Sequence, residues 1–215
     1  MKPLVIAVDG PAASGKGTVA SGLAEHYGVP YLDTGLIYRL VGLIALRRGV
    51  DLDDGGALHA MLGAWEGSLA DPEIRLRKAG EAASRVAVHP QVRSYLLDWQ
   101  RDFAADPKGA VLDGRDIGTV IAPDATAKLY VTATPEVRAE RRWKQMKAQG
   151  EAASLEDVLE DIRRRDARDG GRETAPMTPA PDAVLLDTSE MTIEQAADAA
   201  RRIVEAARAR RDDPR

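Results

Sequence analysis

Residues 10–18 read GPAASGKGT, a glycine-rich stretch that ends in a lysine, a glycine and a threonine. Glycine adopts positive φ angles without strain, so successive backbone N–H groups in such a stretch can turn inward and form a nest for an anion. The N-terminus of a following helix would add partial positive charge, and Lys16 would add a full charge. The spacing G-x-x-x-x-G-K after the apolar run 4–8 therefore favours a phosphate-binding loop over a glycine-rich turn without a ligand.

Gly17 departs from the usual form of this loop. At its position most phosphate-binding loops have a serine or threonine whose hydroxyl binds Mg²⁺. Glycine has no side chain, so we expect the metal to be held by phosphate oxygens and water. Mg²⁺ tolerates this arrangement because it usually keeps several waters. Thr18 remains available to contact the α-phosphate.

The elements that would position this loop are short apolar runs that alternate with helical patterns. We expect buried strands at 4–9, 29–33, 110–113, 128–133 and 184–187. Apolar spacing predicts helices at 18–27, 37–46, 92–103, 135–149, 154–166 and 192–208. This alternation predicts an α/β fold, a five-stranded parallel sheet with helices on both faces. With the loop at 10–18 between the first strand and the first helix, the pattern resembles the P-loop NTPase type. We interpret residues 1–215 as one domain with a helical insertion at 50–90 and a second insertion at 149–173.

Composition and charge argue against several classes of protein. The net charge of −4 disfavours a nucleic-acid-binding protein, which needs a cationic surplus. Cysteine is absent, which excludes disulfides and thiolate metal sites. The first apolar run is too short for a secretory signal, and no run approaches the ~18 apolar residues of a membrane span. We therefore expect a cytoplasmic protein with no nucleic-acid or membrane partner. As a separate expectation, we take the protein to be a monomer.

Five segments together resemble one enzyme family. They are GKGT at 15–18, DTGLIYR at 33–39, EAASRVAVHPQVRSYLLDWQR at 81–101, VLDGRDIGTVIAPDA at 111–125 and RRRDARDGGRETAPMTPAPDAVLLDTS at 163–189. In these segments the chain is similar to the bacterial cytidylate kinases, which are nucleoside monophosphate kinases with a P-loop. The resemblance implies transfer of the γ-phosphoryl group of ATP to CMP or dCMP in pyrimidine nucleotide metabolism. The products would be ADP and CDP or dCDP, and the cofactor would be Mg²⁺.

The resemblance also implies which residues carry the transfer step. The acceptor is already an ionised phosphate oxygen, so catalysis needs no general base and consists mainly of positioning and charge neutralisation. The implied catalytic residues are Lys16, Arg115, Arg141 and Arg142. Asp113 would hold metal-bound water, and the alternative is a strand-end carboxylate that caps the next turn. The implied ATP-binding residues are Gly10, Pro11, Ala12, Ala13, Ser14, Gly15, Lys16, Gly17 and Thr18.

For the acceptor nucleotide, the resemblance assigns the base to Ser84, Arg93 and Asp116. A carboxylate can accept from the exocyclic amine of cytosine, and an arginine can donate to the ring nitrogen and the carbonyl. Uracil reverses the polarity at two of these positions, so we expect CMP to be preferred over UMP. The full set implied for CMP is Asp33, Thr34, Tyr38, Arg39, Ser84, Arg93, Arg115, Asp116, Arg165, Asp169 and Arg172.

Within that set, Arg39 and Arg115 would clasp the phosphate, because the guanidinium fork binds phosphate oxygens in pairs. Arg165 and Asp169 would contact the ribose. The spacing of the charges at 163–173 also allows a salt-bridged surface helix, and Tyr38 also allows simple packing.

Other functions remain as alternatives. Another nucleoside monophosphate kinase, with UMP or AMP as acceptor, would share the loop, although the D-G-R-D segment disfavours AMP. A GTP-dependent switch protein would need an N-K-x-D motif, and the sequence contains no asparagine. A nucleotide-binding module without catalysis is disfavoured because Lys16, Asp113 and the arginines are all present. The tryptophans Trp65, Trp99 and Trp143 are more consistent with packing than with base stacking.

Overall fold

The structure is a computed structural model that describes residues 3–63 and 67–212. In chain order its elements are β1 (Val5–Asp9), α1 (Lys16–Tyr27), β2 (Tyr31–Asp33), α2 (Thr34–Arg48), α3 (Gly55–Leu62), a 3₁₀ turn (Pro72–Arg75), α4 (Arg77–Val86), α5 (Pro90–Ala104), β3 (Ala110–Gly114), a π-helical turn (Ile117–Ile121), β4 (Ala127–Thr132), α6 (Pro135–Ala148), α7 (Leu155–Gly170), β5 (Val184–Asp187) and α8 (Ile193–Asp212). Trp65, within the insertion expected at 50–90, lies outside the described residues.

The five strands form one parallel sheet in the order β2-β3-β1-β4-β5. β1 and β3 are buried along nearly their whole length, as expected for strands that are covered on both faces. Helices α2 to α5 build an apolar cluster on one face, and α1 and α8 build another on the opposite face. The predicted α/β fold, with a five-stranded parallel sheet and helices on both faces, is confirmed.

Aspartates stand at the carboxyl edge of this sheet. Asp9 ends β1, Asp33 ends β2, and Asp113 is the penultimate residue of β3. The register pairs Asp33 with Asp113, and Asp9 with Gly114. Open parallel sheets bind ligands at their carboxyl edge, where the loops after neighbouring strands meet. Here that edge brings together the P-loop, the start of α2 and the segment after β3.

Helices α6 and α7 have a small apolar cluster of their own, formed by Ala139, Met146, Val158 and Ile162. Ala13 of the P-loop packs against this cluster. Helix α7 begins with a capping box in which the side chains of Ser154 and Asp157 reciprocally bond each other's backbone N–H. The insertion expected at 149–173 is therefore anchored next to the P-loop.

Several helix boundaries differ from the sequence-based expectation, and the start of α2 and the end of α7 bear on the site. Helix α2 begins at Thr34 rather than at residue 37, because the chain passes directly from β2 into the helix. Threonine and glycine are weak helix formers, which hid this first turn. Helix α7 continues to Gly170 rather than ending at residue 166, since polar contacts replace the apolar stripe in its last turn. Within the described ranges, no helix combines the length and apolarity needed to cross a membrane.

Candidate active site

The P-loop joins β1 to α1, and two glycines shape it. Gly10 has a φ of +148°, and a Cβ there would lie 1.9 Å from the backbone oxygen of Val131 on β4. Gly15 has a φ of +88° at the position before α1. Both positions require glycine. Between them Ser14 is fully buried, and its hydroxyl has no hydrogen-bond partner among the described residues. The loop thus contains an unsatisfied buried hydroxyl two residues before Lys16.

Lys16 faces Asp113, with 3.7 Å between Nζ and Oδ1. Burial lowers the pKa of Lys16, and Asp113 partly offsets this shift. Burial raises the pKa of Asp113, and Lys16 opposes that shift. Oδ2 of Asp113 accepts a hydrogen bond from the Tyr31 hydroxyl at 2.9 Å. Oδ1 has no hydrogen-bond partner within residues 3–63 and 67–212, so one carboxylate oxygen remains available beside the lysine.

A second buried carboxylate, Asp9, holds the segment after β3. Its two oxygens accept hydrogen bonds from the backbone N–H groups of Ile117 and Gly118, each at 2.8 Å. Burial raises the pKa of Asp9 to about 7, although the two N–H groups oppose this shift. Because Asp116 directly precedes these N–H groups, Asp9 determines where Asp116 lies.

A pocket at this edge collects most of the residues assigned to CMP, and we call it the acceptor pocket. Its lining includes Thr34, Tyr38, Ser84, Arg93, Arg115, Asp116, Arg165, Asp169 and Arg172. Arg93 donates a hydrogen bond to Asp116, and its guanidinium lies over the Tyr38 ring, 5.6 Å from the centroid. Burial opposes the charge on Arg93, but Tyr38 and Asp116 outweigh it and raise the pKa of Arg93. The residues assigned to the base therefore lie together.

Asp169, near the end of α7, is the centre of a buried ion cluster in this pocket. It accepts hydrogen bonds from Nε of Arg115 at 3.1 Å and from the hydroxyl of Ser84 at 3.0 Å. Arg165 and Arg172 lie 3.8 and 3.9 Å from its carboxylate. Burial favours the neutral acid, but the three arginines outweigh burial and hold the pKa of Asp169 below its usual range. The cluster ties α7 to β3 and α4.

A second cleft, the phosphate cleft, lies between the P-loop and α7. Its lining includes Arg39, Arg142 and Arg165 together with Ala12 and Ala13 of the loop. Burial, followed by the charges of Arg165 and Arg142, lowers the pKa of Arg39. Arg165 also lines the acceptor pocket, and its Nε is buried with no hydrogen-bond partner in the described part of the chain. Buried like charges with unsatisfied donors fit an anionic ligand.

A third cleft, the donor cleft, lies on the other side of the P-loop. Gly15, Thr18, Arg141, Thr188 and Ile193 are among its lining residues. Arg141 donates hydrogen bonds to the hydroxyl and the carbonyl of Thr188, at 2.9 and 2.7 Å. The Thr188 hydroxyl is in turn 2.8 Å from the Ser14 carbonyl, to which it donates. These contacts connect α6, the end of β5 and the P-loop.

Two assigned residues lie apart from the rest of their group. Asp33 lines none of these three clefts, and its charge instead acts on Lys16 from the end of β2. Arg39 lines the phosphate cleft and not the acceptor pocket. Its guanidinium donates a hydrogen bond to the carbonyl of Ile74 at 3.1 Å. Arg142 lines both the phosphate cleft and the donor cleft. The assigned cations therefore surround the P-loop from two sides.

Comparison of the sequence with known proteins agrees with the nucleotide-binding site described above. The family described as "Cytidylate kinase" matches residues 6–206. A curated cytidylate kinase of Caulobacter vibrioides (strain NA1000 / CB15N) is 70% identical over 207 residues, covering 96% of this chain and 97% of the relative. The chain belongs to the cytidylate kinase family. A cytidylate kinase of Xanthobacter autotrophicus is 57% identical over 209 residues, which cover 97% of this chain and 100% of that one.

Membership in the cytidylate kinase family confirms the resemblance and the enzyme class predicted from the sequence, an ATP-dependent kinase of CMP. At the level of the fold alone, a solved structure of an uncharacterized protein from Eubacterium ventriosum has a TM-score of 0.51 at 14% identity. The alignment covers 95% of this chain and 99% of that one. The cytidylate kinase assignment therefore depends on the sequence comparisons, and the fold agrees with it.

Sequence analysis missed four residues that build this cytidylate kinase site, namely Asp9, Tyr31, Arg138 and Thr188. Arg138 on α6 is buried and donates two hydrogen bonds to Asp166 on α7, at 2.6 and 3.1 Å. It also donates to the P-loop carbonyl of Ala12 at 3.3 Å. The sequence signals for these four residues were weak. For Asp9, the only signal was a charged residue directly after the apolar run 4–8.

Proposed function

We propose that the protein transfers the γ-phosphoryl group of ATP, bound with Mg²⁺, to the phosphate of CMP or dCMP. The observation that carries this proposal is the arginine cluster, which consists of Arg39, Arg115, Arg142 and Arg165. It lies between the P-loop and the acceptor pocket. Burial and the charge of neighbouring arginines lower the pKa of both Arg39 and Arg165. Phosphate groups that enter from both sides compensate this accumulation of positive charge.

ATP binds along the P-loop and in the donor cleft. The backbone N–H groups of residues 12–18, which include the start of α1, surround the β- and γ-phosphates, and Lys16 spans them. The buried hydroxyl of Ser14 supplies a further polar group on the same loop. The nucleoside extends past Thr18 towards Arg141 and the apolar side chain of Ile193, which line the donor cleft.

The transfer step forms a bond between a CMP phosphate oxygen and the γ-phosphorus while the bond from that phosphorus to the β–γ bridging oxygen breaks. Charge spreads over the three equatorial oxygens of the transferred group in the transition state. Lys16 and the arginine cluster neutralise that charge and hold the two phosphates in line. Since the attacking oxygen is already ionised, no side chain has to remove a proton.

The residues present also fit Mg²⁺ held through water. Oδ1 of Asp113 is a buried acceptor without a hydrogen-bond partner among the residues described, and it lies 3.7 Å from Nζ of Lys16. Gly17 offers no hydroxyl, so this carboxylate would bind a metal-bound water, consistent with the hydration that Mg²⁺ retains. When bound, the ion supplies neutralisation of charge on the β- and γ-phosphates. The contacts of Asp113 with Tyr31 and Lys16 favour this role over the turn cap considered from the sequence.

The acceptor pocket fits cytosine better than uracil. Arg93 donates a hydrogen bond to Oδ2 of Asp116. Oδ1 of Asp116 is then left to accept a hydrogen bond from the exocyclic amine of cytosine. The remaining donors of Arg93 can reach the ring nitrogen and the carbonyl. Uracil would place a carbonyl against Asp116. Because both residues are buried, this mismatch leaves polar groups unpaired and can reject UMP by roughly 10⁴.

We further propose that the insertion at 50–90 and the lid at 149–173 close on each other over the substrates. Polar contacts between α4 and α7 support this closure. Arg77 donates to Asp161 at 2.6 Å, and Arg168 donates to Glu81 at 2.9 Å. One chain supplies residues for both substrates, which supports a monomer, and the proposed reaction on free nucleotides supports a cytoplasmic location.

A substrate panel tests this function. ADP release is measured with CMP, dCMP, UMP and AMP at saturating ATP and Mg²⁺. We expect turnover with CMP and dCMP, and kcat/KM values at least about 100-fold lower with UMP and AMP. Equal efficiency with CMP and UMP would contradict the role of Asp116. Absence of turnover with CMP would contradict the proposed reaction itself.

A further inference from the structure

We propose that Tyr31 is a positioning residue for phosphoryl transfer, whose hydroxyl orients Asp113 so that Oδ1 faces the space for magnesium-bound water. The inference rests on the proposed function because it concerns the same site. Tyr31 acts through Asp113 and has no contact with the nucleotide in this proposal. It begins β2, two residues before Asp33.

The sheet register places the two side chains on one face. Tyr31 pairs with Val111 on β3, and Asp113 follows Val111 by two residues. Side chains two residues apart on a strand point to the same face of a sheet, so Tyr31 and Asp113 share the face covered by α1. That face is where α1 presents Lys16 and Gly17.

The two oxygens of Asp113 have different surroundings. Oδ2 accepts the hydrogen bond from Tyr31 at 2.9 Å, whereas Oδ1 is buried without a hydrogen-bond partner in the described ranges. A carboxylate that is bonded through one oxygen loses its freedom to rotate. Its second oxygen, which has unused acceptor capacity, then keeps a fixed direction. Outer contacts of this kind orient the groups that hold a metal ion.

Gly17 gives an independent observation at the same contact. A Cβ at position 17 would lie 3.1 Å from Oδ2 of Asp113 and 3.7 Å from the Tyr31 hydroxyl. The first distance is tighter than most real Cβ contacts, so the Asp113 carboxylate would have to shift by a few tenths of an ångström. The bond between Tyr31 and Asp113 therefore occupies the space next to position 17. The contact therefore favours glycine at this position.

The test is Tyr31→Phe, with binding measured by calorimetry. A non-hydrolysable ATP analogue is titrated with Mg²⁺ and with EDTA, and the ratio of the two affinities is the magnesium-dependent gain. We expect Tyr31→Phe to reduce this gain about tenfold, as for the loss of an outer contact at a metal site. The affinities for the analogue in EDTA and for CMP should stay unchanged, since Tyr31 contacts neither in this proposal. Tyr27→Phe is the matched control. Tyr27 is the last residue of α1, at the opposite end from Lys16, and its hydroxyl donates a hydrogen bond to Glu205 on α8.

A double-mutant cycle separates positioning from a general structural effect. In an Asp113→Ala background the acceptor of the Tyr31 hydroxyl is gone, so adding Tyr31→Phe should leave the magnesium-dependent gain unchanged. Gly17→Ala, which presses on the same contact from the loop, should also lower the gain.

Three results would overturn the proposal. They are a full magnesium-dependent gain in Tyr31→Phe, an equal loss of affinity with and without Mg²⁺, and the same loss in both Asp113 backgrounds. Failure of the proposed function would be visible in the unaltered protein, as a lack of CMP phosphorylation.

Discussion

Asp169 in α7 accepts a hydrogen bond from Nε of Arg115, the residue that follows β3, at 3.1 Å. This contact joins α7 to the segment that follows β3, and both residues line the acceptor pocket. Asp169 also accepts a hydrogen bond from the hydroxyl of Ser84, which lies on α4. The carboxylate therefore arranges groups from three separate parts of the chain around the expected position of CMP.

Replacing Asp169 tests this arrangement. Asp169→Asn removes the charge that holds Arg115, Arg165 and Arg172 together, so we expect the KM for CMP to rise at least tenfold, which is about 1.4 kcal/mol. The KM for ATP should change far less, because the P-loop is untouched. Steady-state kinetics with each substrate varied in turn measures both values. Glu160→Gln, on an exposed position of the same helix, is the control. Equal increases for ATP and CMP would count against the assignment.

Asp116→Asn should relax the choice of base. The amide of asparagine can donate to a uracil carbonyl as well as accept from cytosine, so the preference for CMP over UMP should fall by about 10² or more. The measurement is the ratio of kcat/KM for the two acceptors. Asp124→Asn changes an exposed aspartate after the π-helical turn and should leave the ratio intact. An unchanged ratio in Asp116→Asn would place base selection elsewhere.

The buried Asp9 predicts a specific pH dependence of stability. Its pKa is raised from 3.8 to about 7 by burial, so the folded state holds a proton that the unfolded state has lost. The contribution of Asp9 to stability is therefore fully present below about pH 4 and is lost as pH rises through 7, by up to about 4 kcal/mol. Denaturant unfolding of the unaltered protein and Asp9→Asn between pH 4.5 and 8 isolates this contribution. A difference between the two that stays constant with pH would refute the prediction.

Arg138 and Arg163 both bridge α6 and α7, and they provide a matched pair. Arg138 is buried with four hydrogen bonds to Asp166, Ala133 and Ala12, whereas Arg163 is 62% exposed beside Glu136. Lysine cannot reproduce the guanidinium fork, so Arg138→Lys should lower the free energy of unfolding by about 2 kcal/mol. Arg163→Lys should cost less than about 0.5 kcal/mol. Similar losses in chemical denaturation would show that burial of Arg138 is not decisive.

Much of the site could be predicted from the sequence because its signals are local. The P-loop is contiguous, and Arg115 and Asp116 stand side by side after an apolar strand. The alternation of apolar runs and helices also predicted the sheet. The placement of Asp33 outside the acceptor pocket could not be read in this way, because it depends on how β2 enters α2.

Contacts between distant residues could not be predicted. Tyr31 and Asp113 are 82 residues apart, and their bond depends on the register between β2 and β3. Asp9 and Ile117 are 108 residues apart. The last turn of α7 has no apolar stripe, so its length depends on ion pairs such as that between Arg165 and Asp169. Such contacts are features of the tertiary structure, and no periodicity in a single sequence predicts them.

The most direct test of the central claim is a crystal structure with a non-hydrolysable ATP analogue, Mg²⁺ and CMP. We expect the triphosphate against residues 10–18 and the CMP phosphate among Arg39, Arg115 and Arg165, with the γ-phosphate between them. The cytosine amine should contact Asp116. A triphosphate bound away from Lys16, or a cytosine ring outside the acceptor pocket, would contradict the account.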